Sequence, residues 1–252
     1  MTSLHALIQT LDDWMKPELL KDYAPNGLQV EGCDTISRLA LGVTASADVI
    51  QQAVAWGADA LLVHHGYFWR NEPPVLTGMK GQRVRALMNH QMSLIAYHLP
   101  LDCHAEFGNN KALLDQLGLV GGQPIAEENG LLWSVPLPNA MTIDQLALQV
   151  QNALGRPPMV IESSRGSETL SRLVVCTGGA QDYLTKALYY GADVYLSGEI
   201  SERTTHEARE LGVHYIAAGH HATERYGIQA LGQKLASTLG VDVAFFDDHN
   251  PA

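Results

Sequence analysis

The sequence has a low content of charged residues and no basic segment, which excludes some classes of function. Charged residues make up 17% of the 252 residues, and 16 basic residues stand against 27 acidic ones, for a formal net charge of −11. A protein that binds the phosphate backbone of a nucleic acid needs a basic face, so we do not expect direct nucleic-acid binding. An acidic protein can still bind a nucleotide if a metal ion supplies the positive charge.

Cysteines and long apolar runs are also scarce. Cys33, Cys103 and Cys176 are widely spaced and form no CxxC pair, which indicates reduced thiols and a cytoplasmic protein. No segment has about 18 consecutive apolar residues, so no membrane span is expected. Residues 1–20 lack a basic n-region and carry Asp12 within an apolar pattern, so we expect an amphipathic helix and no signal peptide.

The chain does contain a regular alternation of strand and helix patterns. Residues 38–43, 60–63 and 93–97 are mainly apolar and predict strands, and residues 47–56 and 84–89 predict helices between them. This order is typical of a parallel sheet covered by helices, so the predicted fold class is α/β.

The pattern then occurs a second time. Residues 38–65 align without a gap with residues 172–199, and both contain Gly-Ala-Asp after the predicted helix. All β-α-β units resemble one another, but the shared tripeptide and the gapless register favour an internal duplication. We predict two similar α/β domains.

The predicted domains are not continuous in sequence. Residues 118–138 contain several Gly and Pro residues and predict a boundary, and residues 142–154 predict a helix with Thr142 as N-cap. We expect residues 1–122 and about 206–252 to form a metal-binding α/β domain, and residues 123–205 to form a second, inserted α/β domain.

Histidines and carboxylates follow the ends of the predicted strands, where ligands bind in open α/β sheets. They are His64, His65, His98, Asp102, His220 and Glu224. Imidazole and carboxylate ligands fit Zn, Fe, Mn or Ni better than Ca or Mg. A carboxylate can bridge two ions about 3.5–4 Å apart, and adjacent histidines can each serve a different ion.

Each of these residues also has a purely structural interpretation. A histidine at a strand end is often only solvated or hydrogen-bonded, and a His and a Glu four residues apart on a helix are often a surface pair. However, His98 and Asp102 have the same spacing as His220 and Glu224, and both pairs follow an apolar strand. This recurrence favours a metal site where the duplicated halves meet.

Two further motifs leave alternatives open. Asp22-Tyr-Ala-Pro-Asn-Gly-Leu-Gln is a turn by composition and could also line a site. Cys176-Thr-Gly-Gly-Ala resembles a phosphate-binding turn, but packing explains its glycines equally well, and it is not a P-loop because GK[ST] is absent.

Several longer motifs carry a family resemblance: VHHGYFW, HLPLD, SGEISE, AAGHHATER, DYAPNGLQVEG and the terminal NPA. With them the chain resembles, over essentially its whole length, the YbgI-like members of the GTP cyclohydrolase type 2 homologue family, also called the NIF-three-like family. The resemblance implies two similar α/β domains, a dinuclear metal centre, and a toroidal homohexamer whose metal sites face an inner cavity.

The family's metal ligands fall on five positions of this sequence. They are His64, His65, Asp102, His220 and Glu224. His98 matches a nearby histidine that acts as a further ligand or as a proton carrier. His221 is expected to be a bystander, because the spacing to Glu224 selects His220.

Three functions are compatible with these residues. The first is a metal-dependent hydrolase acting on a small molecule such as a nucleotide, with His98 carrying a proton and Glu199, which aligns with His65 in the repeat, orienting the substrate. The second is a metal carrier or interaction platform without catalysis. The third is a structural metal that holds the two halves together, which predicts unfolding on chelation.

Overall fold

A computed structural model describes the backbone of residues 1–252, and the side chains of all of them except residues 138–140. The chain forms two compact units, the first from Met1–Leu101 and Ile228–His249 and the second from Asp102–Gly227 and Asn250–Ala252. The domain limits expected from the sequence, 1–122 with about 206–252 and 123–205, stay a prediction.

Helices and strands alternate along most of the chain. The helices are α1 (Leu4–Met15), α2 (Ala47–Trp56), α3 (Gly78–Asn89), α4 (Leu99–Cys103), α5 (Asn109–Gln116), α6 (Ile143–Leu154), α7 (Leu184–Tyr189), α8 (Glu202–Leu211) and α9 (His220–Leu239), with short 3-10 turns at Pro17–Leu19, Ala126–Glu128 and Gln181–Tyr183. The strands are β1 (Thr2–Ser3), β2 (Gly27–Val30), β3 (Thr35–Ile36), β4 (Arg38–Thr44), β5 (Ala60–His65), β6 (Ser93–Ala96), β7 (Gln123–Pro124), β8 (Trp133–Met141), β9 (Met159–Ile161), β10 (Leu170–Cys176), β11 (Val194–Ser197), β12 (His214–Ala217) and β13 (Asp242–Phe245).

The first unit is built on a five-stranded sheet with the strand order β13-β4-β5-β6-β2. Strands β13, β4, β5 and β6 are parallel, and β2 closes one edge antiparallel to β6. Helix α2 begins where the Ser46 side chain accepts a hydrogen bond from the Val49 amide, and it ends at Gly57, whose φ of 77° suits glycine. Apolar side chains of β4, β5 and β6 pack against α2 and α3 to form the core.

The second unit is built on a six-stranded sheet with the order β7-β8-β10-β11-β12-β9. Its central strands β10, β11 and β12 are parallel, while β8 and β9 run antiparallel on either side of them. Helix α6 starts as predicted at Thr142, which forms a capping box with Gln145. Two apolar clusters in this unit contain the inward-facing residues of the central strands. The predicted α/β class is confirmed.

The strand pairings of the two units repeat with the register seen in the sequence. Leu39 pairs with Ala60 between β4 and β5, and Leu173 pairs with Val194 between β10 and β11. Both partners of the second pair lie at the same sequence offset from those of the first. The internal duplication is therefore visible in the hydrogen-bonded register of the sheets.

The Gly-Ala-Asp tripeptide common to both repeats has a structural reason. The aspartate side chain lies at the start of the preceding strand, where one of its carboxylate oxygens accepts hydrogen bonds from two backbone amides. Asp59 accepts hydrogen bonds from the backbone amides of Ser37 and Arg38 at 2.7 and 2.9 Å. Asp193 accepts hydrogen bonds from the equivalent Ser171 and Arg172 amides at 2.7 and 3.0 Å, and from the Ser171 hydroxyl at 2.7 Å. Burial raises the pKa of Asp193, but the hydroxyl bond and then the two amide bonds outweigh burial and hold the pKa below the usual value.

No helix in the described part of the chain combines the length and the apolarity needed to span a membrane.

Candidate metal-ligand clusters

In the first unit, His64 and His65 form the end of the central strand β5. The His64 side chain is fully buried, and the two imidazole rings lie 4.4 Å apart between centroids. Consecutive strand residues ordinarily point to opposite faces, but at this strand end the two rings lie side by side.

Both rings are held through their Nδ1 atoms. His64 Nδ1 lies 3.0 Å from the carbonyl oxygen of Tyr97. Since a carbonyl oxygen only accepts, this Nδ1 carries the proton and Nε2 keeps its lone pair for a metal or another donor. His65 Nδ1 lies 3.1 Å from Oγ1 of Thr44, at the end of the neighbouring strand β4. Such outer hydrogen bonds orient metal-binding histidines.

His98 is held by a carboxylate. Its Nδ1 lies 2.9 Å from Oδ1 of Asp22, and its backbone amide donates to Oδ1 of Asn26 at 2.7 Å. The other carboxylate oxygen of Asp22 accepts from the Leu99 amide at 3.0 Å. Burial would raise the pKa of Asp22, but its hydrogen bond and ionic contact with His98 outweigh burial and hold the pKa well below the usual range. The turn predicted from residues 22–29 thus fixes the orientation of the His98 ring.

The three histidines converge within the first unit. One ring nitrogen of each of His64, His65 and His98 lies within 4.8 Å of the other two, which is close enough for a single ion. Trp69 and Tyr23 pack edge-on against the His98 ring, with centroids 5.0 and 4.9 Å away. These aromatic rings border the cluster on one side.

In the second unit, His220 and Glu224 occupy the first turn of α9. His220 Nε2 lies 3.1 Å from Oε2 of Glu224, and His220 Nδ1 lies 2.7 Å from Oε1 of Glu199. Burial lowers the pKa of His220, but the hydrogen bonds and charges of Glu224 and then Glu199 outweigh burial and raise it to about 9. The imidazolium is therefore the stable form without a metal. A cation would replace the proton on Nε2 and leave Nδ1 donating to Glu199.

Asp102 lies in α4 and is buried, with 7% of its surface exposed. Its Oδ1 accepts a hydrogen bond of 2.7 Å from Nδ2 of Asn109, the first residue of α5. The Asp102 backbone carbonyl accepts from Asn110 at 3.3 Å. Asp102 is therefore a buried carboxylate with one oxygen held in place by a neutral amide.

The glycine-rich segment after β10 supports the packing interpretation. The Thr177 amide donates to Asn110, the Gly178 amide donates to Thr223, and the Ala180 amide donates to the carbonyl of Gly178. These three N–H groups are already hydrogen-bonded inside the unit, which leaves them unable to face a phosphate.

Gly178 also borders the His220–Glu224 pair. Its φ is +70°, and a Cβ built there would overlap Oε1 of Glu224 and lie 3.2 Å from Nε2 of His220. Only glycine leaves room for the carboxylate in this position.

The structure thus brings together His64, His65 and His98 in the first unit, and His220, Glu224 and Glu199 in the second. The assignment of individual residues as metal ligands stays a prediction. Sequence reasoning missed the residues that orient these side chains, chiefly Asp22, Asn26, Thr44 and Asn109. A signal for Asp22 and Asn26 was present, because the motif DYAPNG was a turn by composition that could also line a site.

Comparison with known proteins gives consistent results. The profile of the Duf34/NIF3 (NGG1p interacting factor 3) family matches residues 2–251. A protein of Allochromatium vinosum named GTP cyclohydrolase 1 type 2 homolog is 51% identical over 252 residues, covering 100% of this chain and 98% of its own. A protein of Vibrio cholerae with the same name is 48% identical over 242 residues, 96% of each chain.

Solved structures agree over the whole chain. The protein ybgI, described as of unknown function, superposes with a TM-score of 0.95 at 42% identity and covers 100% of both chains. A protein of Thermus thermophilus superposes with a TM-score of 0.90 at 30% identity, again over 100% of both chains.

Proposed function

Because the chain belongs to the Duf34/NIF3 family, we propose that it holds a dinuclear metal centre and acts as a metal-dependent hydrolase on a small, nucleotide-like substrate. The proposed ligands are His64, His65, Asp102, His220 and Glu224.

The observation that best supports a metal is the state of the histidines in the first unit. His64 donates through Nδ1 to a carbonyl and His98 through Nδ1 to a carboxylate, so in both rings Nε2 is the nitrogen that a metal ion would bind. Together with His65 they form a set of imidazole rings with outer hydrogen bonds, which is how metal-binding histidines are held.

The donor set of the second unit also fits a cation. Glu224 is 3% exposed and lies against His220, and Asp102 is nearly as buried. Buried carboxylates are costly unless a positive charge faces them. Mixed imidazole and carboxylate donors suit Zn, Fe, Mn or Ni. When bound, two such ions would make a water molecule more acidic and polarise the bond under attack.

The protein's own residues have distinct roles in this proposal. His98 exchanges a proton at Nε2, because Asp22 keeps the proton of Nδ1 in place. Glu199 orients His220 through one carboxylate oxygen, and its side chain is 44% exposed, which leaves the other oxygen available to a substrate. We further propose that the protein is cytoplasmic and assembles as a toroidal homohexamer.

Metal content tests the binding part of this proposal. Purified protein should contain two transition-metal ions per chain by elemental mass spectrometry, and His64→Ala and His220→Ala should each lose at least one of them. His206→Ala is a matched control, because His206 forms an exposed pair with Glu202 at the same helical spacing as His220 and Glu224. Equal metal content in all four proteins would contradict the proposed ligands.

A substrate screen with the identified metal restored tests the catalytic part. Hydrolysis of a phosphate ester or nucleotide should require metal and should be lost in His64→Ala. Metal transfer to an apo-enzyme without turnover of any substrate would instead identify a carrier. Unfolding on chelation, again without turnover, would identify a structural metal.

A further inference from the structure

A cleft in the second unit lies beside Glu199, the residue that orients His220. It has a volume of about 580 Å³, enough for a small organic molecule. Its lining includes Arg156, Met159, Glu199, Ile200 and Gly219. None of the proposed metal ligands lines it, so the cleft is a neighbour of that cluster and not a part of it.

Arg156 is the cationic residue of this lining. Among the described residues, no aspartate or glutamate forms an ion pair with it, and its one hydrogen bond, to an oxygen of the C-terminal residue Ala252, is long at 3.5 Å. That bond uses one N–H of the guanidinium, so most of its donors remain for a ligand. Its planar set of donors matches a phosphate or carboxylate.

The backbone makes room for this guanidinium. Gly219 has a φ of +102°, and a Cβ built there would overlap Nη1 of Arg156 and lie 2.8 Å from its Cζ. The arginine therefore lies directly on the glycine backbone between β12 and α9. This close approach holds the charged group at the wall of the cleft instead of leaving it in solvent.

The remaining lining is mainly apolar. Met159 exposes 56% of its surface although it belongs to a strand, and Ile200 and three prolines border the same space. An exposed apolar wall next to a cation suits a molecule with an apolar body and a charged end. Glu199 also lines the cleft, and its negative charge is partly offset by the hydrogen bond from His220.

We propose that this cleft is a subsite for a small organic oxyanion, a phosphate or carboxylate attached to an apolar group, and that Arg156 binds the oxyanion. The proposal rests on the proposed function in one respect, namely that the bound molecule is the substrate. Glu199 then links the two sites, because it lines the cleft and also orients a proposed metal ligand.

Calorimetric titration of metal-free protein separates the subsite from the metal chemistry. Phenyl phosphate and benzoate are the probes, and benzyl alcohol is the neutral analogue. At least one anion should bind the wild type, and Arg156→Gln should bind it at least about tenfold more weakly, the loss expected for a hydrogen bond to a charged group. Arg156→Lys keeps the charge and should retain part of the affinity.

Arg165→Gln is the matched control, since Arg165 lies in the same unit and bonds only to a backbone carbonyl on the helix surface. It should bind both anions like the wild type. Equal affinity of Arg156→Gln and wild type, no anion binding by the wild type, or equal binding of benzyl alcohol would each overturn the subsite. If the protein as purified contains no metal and turns over no substrate, Arg156-dependent binding would keep the subsite while the proposed function is rejected.

Discussion

The imidazole of His98 donates from Nδ1 to Oδ1 of Asp22 across 2.9 Å, although the two residues are 76 positions apart in the chain. The contact selects one tautomer of the ring and leaves Nε2 facing His64 and His65. The turn that contains Asp22 thereby fixes the orientation of the His98 ring, which follows strand β6.

Asp22→Asn should disturb His98 without removing it. Asparagine lacks the charge and can accept with only one oxygen, whereas Asp22 uses both, so we expect a loss of about 1–3 kcal/mol in unfolding free energy. Metal affinity should fall about 10–100-fold if His98 is a ligand. Urea unfolding measures the first effect and competitive chelator titration the second.

Asp13→Asn is the control for this change, because Asp13 is an exposed aspartate on α1. It should leave both quantities unchanged. NMR of the imidazole nitrogens adds a direct readout: wild-type His98 should show a protonated Nδ1, and a wild-type His98 protonated at Nε2 would contradict the orientation described above.

Gly178→Ala should damage the His220–Glu224 pair specifically. The new Cβ would overlap Oε1 of Glu224, and a φ of +70° is unfavourable for alanine by about 1–2 kcal/mol. We expect metal affinity to fall at least about tenfold, as measured by elemental analysis after dialysis. Gly179→Ala is a close control, since its Cβ would meet Glu199 at 3.4 Å or more. Similar losses in both variants would argue against a steric effect on Glu224.

The pKa of His220 predicts how the metal-free protein responds to pH. The value in the folded protein is about 9, against 6.5 for the unperturbed side chain. Because the folded pKa is the higher one, the stabilisation is fully present below about pH 6.5 and is lost as the pH rises through about 9. Unfolding free energy measured with a chelator present should therefore decline across this window.

Glu224→Gln and Glu199→Gln should each flatten that decline, because each removes a charge that raises the pKa of His220. Metal affinity of the wild type should rise with pH over the same window, since the ion and the proton compete for Nε2. A metal affinity independent of pH between about 6.5 and 9 would show that His220 is not a ligand.

The two equivalent aspartates of the repeat should contribute similarly to stability. Asp59→Ala and Asp193→Ala each leave two backbone amides without their acceptor, so each should lower the unfolding free energy by about 1–3 kcal/mol. Asp115→Ala removes only an exposed ion pair with Lys111 and should cost under about 1 kcal/mol. Chemical denaturation at neutral pH compares all three, and a loss confined to one half would contradict an equivalent role.

The proposed oligomer has a simple measurement. Native mass spectrometry should give an assembly of six copies of the 27.4 kDa chain. A monomer or dimer as the main species at micromolar concentration would exclude the hexamer and would leave the metal and anion predictions unaffected.

The sequence by itself determined the fold class, the duplication and many of the element limits. Apolar periodicity and capping residues are local signals, so α2 was predicted from Ala47 to Trp56 and the N-cap of α6 at Thr142, as observed. Gly-Ala-Asp recurs in the sequence because in both halves the aspartate accepts hydrogen bonds from two backbone amides. Histidines and acids next to strand ends could be selected because ligands bind where parallel strands end.

Only the tertiary structure decided how these side chains are held. The partners of the histidines lie far away along the chain: Asp22 is remote from His98, and Tyr97 binds His64 from the neighbouring strand. The cleft beside Glu199 likewise depends on Arg156 lying against Gly219, a contact that no spacing in the sequence indicates. Hydrogen bonds and close approaches between distant segments depend on how the sheets and helices pack, which local patterns do not encode.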